Sequence, residues 1–227
     1  TAGVEITKRI PYLPLVEKAI ELSQDKVEHI IVYNRNLIDN QHEFFENTID
    51  YEGLVQNSEP ADCISLPSTH PLYLLYTSGT TGKPKGISRD TGGYATALQF
   101  SMKYHYGIEP GETFWAASDF GWAVGHSYSV YAPLINRNAT IIFEGKPIGT
   151  PDAGTFWRVI EEHKVSIMFT APTAIRAIKK EDPEGKLVKK YDLSSLRTQF
   201  LAGERCDVAT LDWYEEFVGV PAIDHWW

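Results

Sequence analysis

An apolar run, Leu72-Tyr73-Leu74-Leu75-Tyr76, passes without a break into Thr77-Ser78-Gly79-Thr80-Thr81-Gly82-Lys83-Pro84-Lys85-Gly86. Five apolar residues running straight into a glycine-rich turn read as an apolar strand. The turn is unusual in its chemistry: four hydroxyl side chains, three glycines and two lysines occupy ten residues. Glycine lets the backbone approach an anion and take positive φ, so that amide groups can converge on phosphate. Lys83 and Lys85 supply charge against a polyphosphate. A flexible surface loop is the plain alternative, but the strand before the turn and its density of donors weigh against it. A Walker A loop is excluded, because only two residues separate Gly79 from Gly82 and Lys83 is followed by Pro84.

Around this turn the chain alternates helical and strand-like segments. Tyr12, Leu15, Val16, Ala19 and Ile20 fall at helical spacing, and His29 to Tyr33 reads as a short buried strand. The polar stretch from Asn47 to Thr69 reads as loop, with one helix before it. A helix is expected over Gly93 to Tyr106, with strands at Phe114 to Ala117 and Ala139 to Phe143. Thr150-Pro151-Asp152 has the chemistry of a helix start, a capping hydroxyl followed by proline, and Phe156, Val159 and Ile160 then share a face. A strand over Val165 to Phe169 and a helix opened by Pro172 come next. Lys179 to Asp192, with Pro183 and Gly185, reads as a solvated connection. Strand Gln199 to Ala202, helix Val208 to Phe217 and strand Val220 to Ile223 complete the series. Strands alternating with helices predict an α/β fold, a mixed and largely parallel sheet flanked by helices.

The 227 residues carry a formal net charge of -9, spread along the chain. That argues against a nucleic acid or an anionic membrane as partner, since both call for a basic face. No apolar run nears the roughly 18 residues of a membrane helix. Cys63 and Cys206 form no CxxC pair or disulfide framework, which favours a reducing compartment, the cytoplasm. The seven histidines show no metal-ligand spacing and no GxSxG elbow is present, so a metal site is not expected. The final Val220-Pro221-Ala222-Ile223-Asp224-His225-Trp226-Trp227 is an apolar, strand-like ending, read here as a cut inside a longer protein.

At the phosphate turn the sequence resembles the signature loop of the adenylate-forming superfamily of acyl-CoA synthetases, luciferases and peptide-synthetase adenylation domains. Further stretches narrow the resemblance to the AMP-forming short-chain acyl-CoA synthetases. Ser118-Asp119-Phe120-Gly121-Trp122-Ala123-Val124-Gly125-His126-Ser127-Tyr128 is similar to the wall of their carboxylate pocket. Phe169-Thr170-Ala171-Pro172-Thr173-Ala174-Ile175-Arg176 resembles their next core motif. Ala202-Gly203-Glu204-Arg205 sits where they carry a Gly-Glu-Pro turn against adenine, and Asp224-His225-Trp226-Trp227 looks like the start of their Trp-Trp-Gln-Thr-Glu motif.

The resemblance implies that residues 1–227 are a fragment of the N-terminal AMP-binding domain, without the C-terminal domain that carries the adenylation lysine. No catalytic residue is therefore expected in the fragment, which by itself would be inactive. It implies ATP, Mg²⁺ and coenzyme A as cofactors or co-substrates, with a carboxylate converted to acyl-adenylate and then to acyl-CoA. Thr77, Ser78, Gly79, Thr80, Thr81, Gly82, Lys83 and Lys85 would hold the phosphates. Gly203, Glu204, Arg205, Asp224, His225 and Trp226 would line the adenine. Trp122, Ala123, Val124, Ala202 and Trp227 would shape the acid pocket. In acetate-activating relatives the positions of Ala123 and Ala202 carry valine and that of Val124 carries threonine. Shortening those side chains widens the pocket, and one buried CH₂ is worth roughly 0.8 kcal/mol. Propionate is accordingly expected over acetate or butyrate. In a eukaryote the location would be the mitochondrial matrix.

Plainer readings stand beside these. Trp122 and Trp227 can be core aromatics, His126 a structural histidine, and Lys8 and Arg9, which could reach coenzyme A phosphates, simply solvated. Another adenylate-forming enzyme, such as an amino-acid adenylation domain, and a non-catalytic nucleotide-binding module remain the alternatives. An amino-acid activator should place an acidic residue in the pocket, and Trp122 to Gly125 has none.

Overall fold

A computed structural model describes residues 1–25, 27–38, 47–77 and 82–225. The chain divides into two compact units, Thr1–Ile64 and Ser65–Trp227. In the first unit β1 (Ala2–Glu5) pairs antiparallel with β2 (Lys8–Pro11), and α1 (Leu13–Leu22) follows with proline in its first turn. β3 (Ile30–Val32) pairs parallel with β4 (Thr48–Asp50). The stretch read as loop from Asn47 therefore holds a strand and a short helix, α2 (Tyr51–Gln56). Its start is set by Asp50, whose carboxylate accepts from Gly53 N at 2.7 Å, a side-chain cap that outweighs the polarity of the segment.

The second unit is built on a five-stranded, fully parallel sheet in the order β11-β10-β9-β7-β8. Its strands are β7 (Thr113–Ala116), β8 (Ala139–Thr140), β9 (Val165–Thr170), β10 (Thr198–Leu201) and β11 (Ala222–Asp224). β9 is central and every one of its residues is buried, which is why Val165-Ser166-Ile167-Met168-Phe169-Thr170 reads as a continuous rather than an alternating run. A register shift beside Thr113 and Phe114 changes the parity of β9: Val165 and Met168 belong to one core, Ile167 and Phe169 to the other.

Helices cover both faces. On one face α5 (Thr155–His163), α6 (Pro172–Glu181) and α7 (Val208–Val218) bury Trp157, Ile160, Ile175, Ile178 and Tyr214 against Trp115, Met168 and Leu201. On the other, α3 (Gly92–Phe100) continues as a π-helical turn, Ser101–His105, and α4 (Ala132–Ile135) follows the π-helical Gly125–Tyr131. These elements enclose Tyr94, Leu98, Met102, Tyr106, Phe114, Ala132, Phe169 and Phe200. A hairpin of β5 (Pro71–Thr77) and β6 (Lys85–Asp90) precedes α3.

Several stretches differ from the sequence reading. The strand expected over Ala139 to Phe143 ends at Thr140, and Ile141 and Phe143 leave the ladder to pack on the core. The helix expected at Thr150 begins at Thr155. Thr150 instead closes a turn, accepting from Lys146 N at 3.0 Å and donating to Lys146 O at 2.7 Å, while Asp152 accepts from Gly154 N at 2.7 Å. Such local side-chain bonds compete with the helix. β11 starts at Ala222, two residues later than expected. Lys179 to Asp192 is not merely solvated: α6 runs into it, and Asp182 is buried, its carboxylate accepting from Lys186 N and Leu187 N, both at 2.7 Å. The hydrophilic composition hid a turn folded around one buried carboxylate.

Three substitutions check this packing. Phe114 is fully buried and meets Tyr106 edge-on at 5.1 Å, so Phe114→Ala should lower the unfolding free energy by about 3–5 kcal/mol in chemical denaturation. Gly203 has φ +104° with no atom within 4 Å of an added Cβ, so Gly203→Ala should cost about 1–3 kcal/mol through conformation alone. A Cβ on Gly125 would lie 2.2 Å from the Asp119 carbonyl oxygen and 2.7 Å from Phe120 Cα. Gly125→Ala must displace backbone, and its denaturation midpoint should fall further than that of Gly203→Ala.

Candidate adenylate site

The strand order places a reversal beside β7. The chain leaves β7 for β8 on one side, then returns to β9 on the other. In open parallel sheets this reversal opens a crevice beyond the carboxyl ends of the strands, where ligands bind. A cavity of about 230 Å³ lies there. Ala117, Ser118, Asp119 and Phe120 line it after β7, Phe143, Gly145 and Lys146 after β8, and Thr170 at the end of β9.

The glycine-rich turn joins two antiparallel strands, since Thr77 at the end of β5 is the register partner of Lys85 at the start of β6. A Walker loop leads from a strand into a helix; this one leads back into a strand. Gly82 takes φ +81°, a conformation that favours glycine, and Lys83 and Lys85 are exposed. Ser78, Gly79, Thr80 and Thr81 lie outside the described residues.

A second cavity of about 180 Å³ is lined by Arg89, Tyr94, Ala97, Leu98, Ala123, Val124, Ser127 and Tyr128. It brings two of the expected acid-pocket residues, Ala123 and Val124, together with α3. Ala202 is buried in the apolar cluster against which Val124 packs but does not line this cavity. Trp122 is 64% exposed, and Trp227 lies outside the described residues. The polar side of the cavity is organised. The Tyr73 hydroxyl donates to that of Tyr94 at 3.0 Å, and the Tyr94 hydroxyl lies 2.6 Å from Ser127 Oγ. Burial pushes the Tyr94 phenol above its ordinary value, so it stays protonated as a donor. The Arg89 guanidinium sits 5.4 Å over the Tyr94 ring.

The residues expected around adenine gather at the carboxyl ends of β10 and β11, which pair in parallel with Leu201 opposite Asp224. His225 N donates to Leu201 O at 2.6 Å, and Cys206 N donates to Asp224 Oδ1 at 3.2 Å. The His225 ring stacks on Tyr106 at 5.3 Å. Burial, then the nearby His105, lower its pKa, which favours the neutral ring. Gly203, Glu204 and Arg205 form the turn after β10. Trp226 lies outside the described residues.

Sequence reasoning did not single out Arg89, Tyr94 or Ser127 as pocket residues. It quoted Arg176 only within a motif, yet that side chain bonds both Glu204 and Asp207 at 2.8 Å. The partners stand 28 and 31 residues away, beyond any local periodicity. Among the described residues no group of three or more His, Cys, Asp or Glu could hold a metal ion.

Comparison with known proteins bears on this arrangement. The chain is 51% identical over 225 residues to acyl-CoA synthetase short-chain family member 3, mitochondrial, of Homo sapiens, covering 99% of this chain and 33% of that protein. It is 49% identical over 234 residues to acyl-CoA synthetase short-chain family member B, mitochondrial, of Dictyostelium discoideum, covering 99% of this chain and 34% of that protein. With a propionate–CoA ligase of Salmonella typhimurium it shares 43% identity over 233 residues, 100% of this chain and 36% of that protein. The chain thus spans about a third of the length of these relatives. The family model for the AMP-binding enzymes matches residues 4–227. With that match over nearly the whole chain, and with a parallel α/β sheet beneath it, the chain belongs to the AMP-binding enzyme family.

Proposed function

We propose that this chain forms the nucleotide- and acid-binding part of an enzyme that activates a short-chain carboxylic acid with ATP and transfers it to coenzyme A. The observation that carries the reading is the cavity of about 180 Å³ holding Ala123 and Val124. It is smaller than the roughly 300–1,000 Å³ typical of drug-sized ligand sites. Ala97, Leu98, Ala123 and Val124 give it an apolar end, and Arg89 gives it a cation. A short apolar acid with one negative charge fits both ends. No Asp or Glu lines this cavity, which disfavours an amino acid, whose α-ammonium would need an anion.

In the first half-reaction the acid's carboxylate oxygen attacks the α-phosphorus of ATP, forming the acyl-adenylate and releasing pyrophosphate. In the second the coenzyme A thiol attacks the acyl carbon, the thioester forms and AMP leaves. Positioning and charge neutralisation carry both steps. The turn from Thr77 to Lys85 would cradle the leaving phosphates, Lys83 and Lys85 offsetting their charge. Gly203, Glu204, Arg205, Asp224 and His225 would border the adenine. Mg²⁺ would arrive chelated to the triphosphate as part of the substrate. No helix among the described residues is long and apolar enough to cross a membrane, in keeping with small-molecule substrates drawn from water.

Propionate is the acid we favour. Ala123 gives the cavity wall a short side chain, which suits an acid longer than acetate, and two of the compared relatives bear the printed names acyl-CoA synthetase short-chain family member and propionate–CoA ligase. Residues 1–227 by themselves are read as insufficient for turnover, and acyl-CoA formation by that isolated segment would overturn this. For the full-length protein, kcat/KM with acetate, propionate and butyrate at equal low concentration should be highest for propionate. Ala123→Val should move the preference toward acetate by several-fold, since each displaced CH₂ is worth roughly 0.8 kcal/mol. Equal ratios in wild type and variant would remove the cavity at Ala123 from the argument.

A further inference from the structure

The turn from Gly203 to Asp207 is held from outside by one side chain. Arg176, in the second turn of α6, donates from Nη1 to Glu204 Oε1 at 2.8 Å and from Nε to Asp207 Oδ2 at 2.8 Å. Its Nη2 reaches the Arg205 carbonyl at 3.5 Å. The planar guanidinium fork thus spans three of the five residues of the turn, a geometry that lysine cannot reproduce. Asp207 is at the same time the N-cap of α7, its Oδ1 accepting from Thr210 N at 3.0 Å. Its carboxyl is held down to about 2, first by the Arg176 hydrogen bond and then by Thr210. On its inner side the turn is tied to β11 through Cys206 N and Asp224 Oδ1 at 3.2 Å.

The clamp changes what the turn can offer a ligand. Glu204 Oε1 is occupied by Arg176, so its carboxylate is drawn toward α6. What the turn keeps for a ligand is its backbone, beginning with Gly203 at φ +104°, and the exposed side chain of Arg205. A turn with a positive-φ glycine samples many conformations when unrestrained, and ordering it on binding would weaken affinity.

We infer that Arg176 is a positioning residue for the nucleotide: by bridging Glu204 and Asp207 it pre-forms the Gly203–Asp207 turn against which the adenine packs. The inference rests on the proposed function, because it takes that turn as part of the nucleotide site. It adds a residue outside the site on whose contacts nucleotide affinity depends, while the acid cavity at Ala123, which Arg176 does not line, stays unaffected.

The test is AMP binding, together with KM for ATP and for propionate, in the full-length protein and in Arg176→Ala, Arg176→Lys and Glu204→Gln. Arg176→Ala should weaken AMP binding and raise KM for ATP by about tenfold, the scale of a lost charge-assisted hydrogen bond, with KM for propionate within about twofold. Arg176→Lys should recover part of that loss, because one charged contact can re-form where two existed. Glu204→Gln keeps an acceptor and the rest of the clamp, so it should fold and show a smaller loss, also confined to the nucleotide. Combined with Arg176→Ala it should add little, since the two side chains act as one unit. AMP affinity unchanged in both Arg176→Ala and Glu204→Gln would overturn the inference. So would equal losses for nucleotide and acid accompanied by a lower melting temperature, the mark of a merely structural role. A wild-type protein that fails to bind AMP would instead overturn the functional reading, and the inference with it.

Discussion

β9 has no water on either side. Its six residues are buried, so each of its backbone donors and acceptors must find a partner in β7 or β10, and an unpaired one would cost a lost hydrogen bond. The parallel ladders on both flanks meet that demand, running Thr113–Ala116 on one side and Thr198–Leu201 on the other. Once these three strands are parallel, each connection must cross a face of the sheet, and helices are the segments that satisfy their own backbone on the way. The two aromatic cores follow, one around Trp115 and Trp157, the other around Phe114, Tyr106 and Phe169.

The same constraint gathers chemistry at one end. Parallel strands deliver all their carboxyl ends to one edge, and the reversal between β8 and β9 opens that edge beside β7. Main-chain bonds continue past the strand ends: Ala117 N to Phe169 O at 2.9 Å, Ala202 N to Thr170 O at 3.1 Å and His225 N to Leu201 O at 2.6 Å. The loops that follow are therefore registered to a rigid sheet before any ligand arrives. Gly125 meets the backbone of Asp119 and Phe120 closely enough to exclude a side chain, so the Ser118–Gly125 segment folds back on itself and carries Ala123 and Val124 to the wall of their cavity.

Two turns of the second unit are framed in different ways. The glycine-rich turn is closed by two antiparallel strands, and the Gly203 turn is held from α6 by the bond between Arg176 and Glu204.

Much of this was legible along the chain. The continuous apolar run of β9, the Pro172 start of α6 and the helical face of Phe156, Val159 and Ile160 are local patterns that burial enforces wherever the chain goes. The glycine, hydroxyl and lysine content of residues 77–86, with the motifs around Trp122 and Gly203, marked the family. The folded structure decided which residues meet, near or far along the chain. β6 became a strand because β5 lay beside it, Thr150 capped a turn rather than a helix because Lys146 accepted its hydroxyl, and Asp182 was buried because three backbone amides turned toward it. Arg89 came to the Ala123 cavity, and Arg176 to Glu204, by the same long-range packing. Periodicity reports only which face of an element is buried; which residues meet across that face is set by the sheet that brings the elements together.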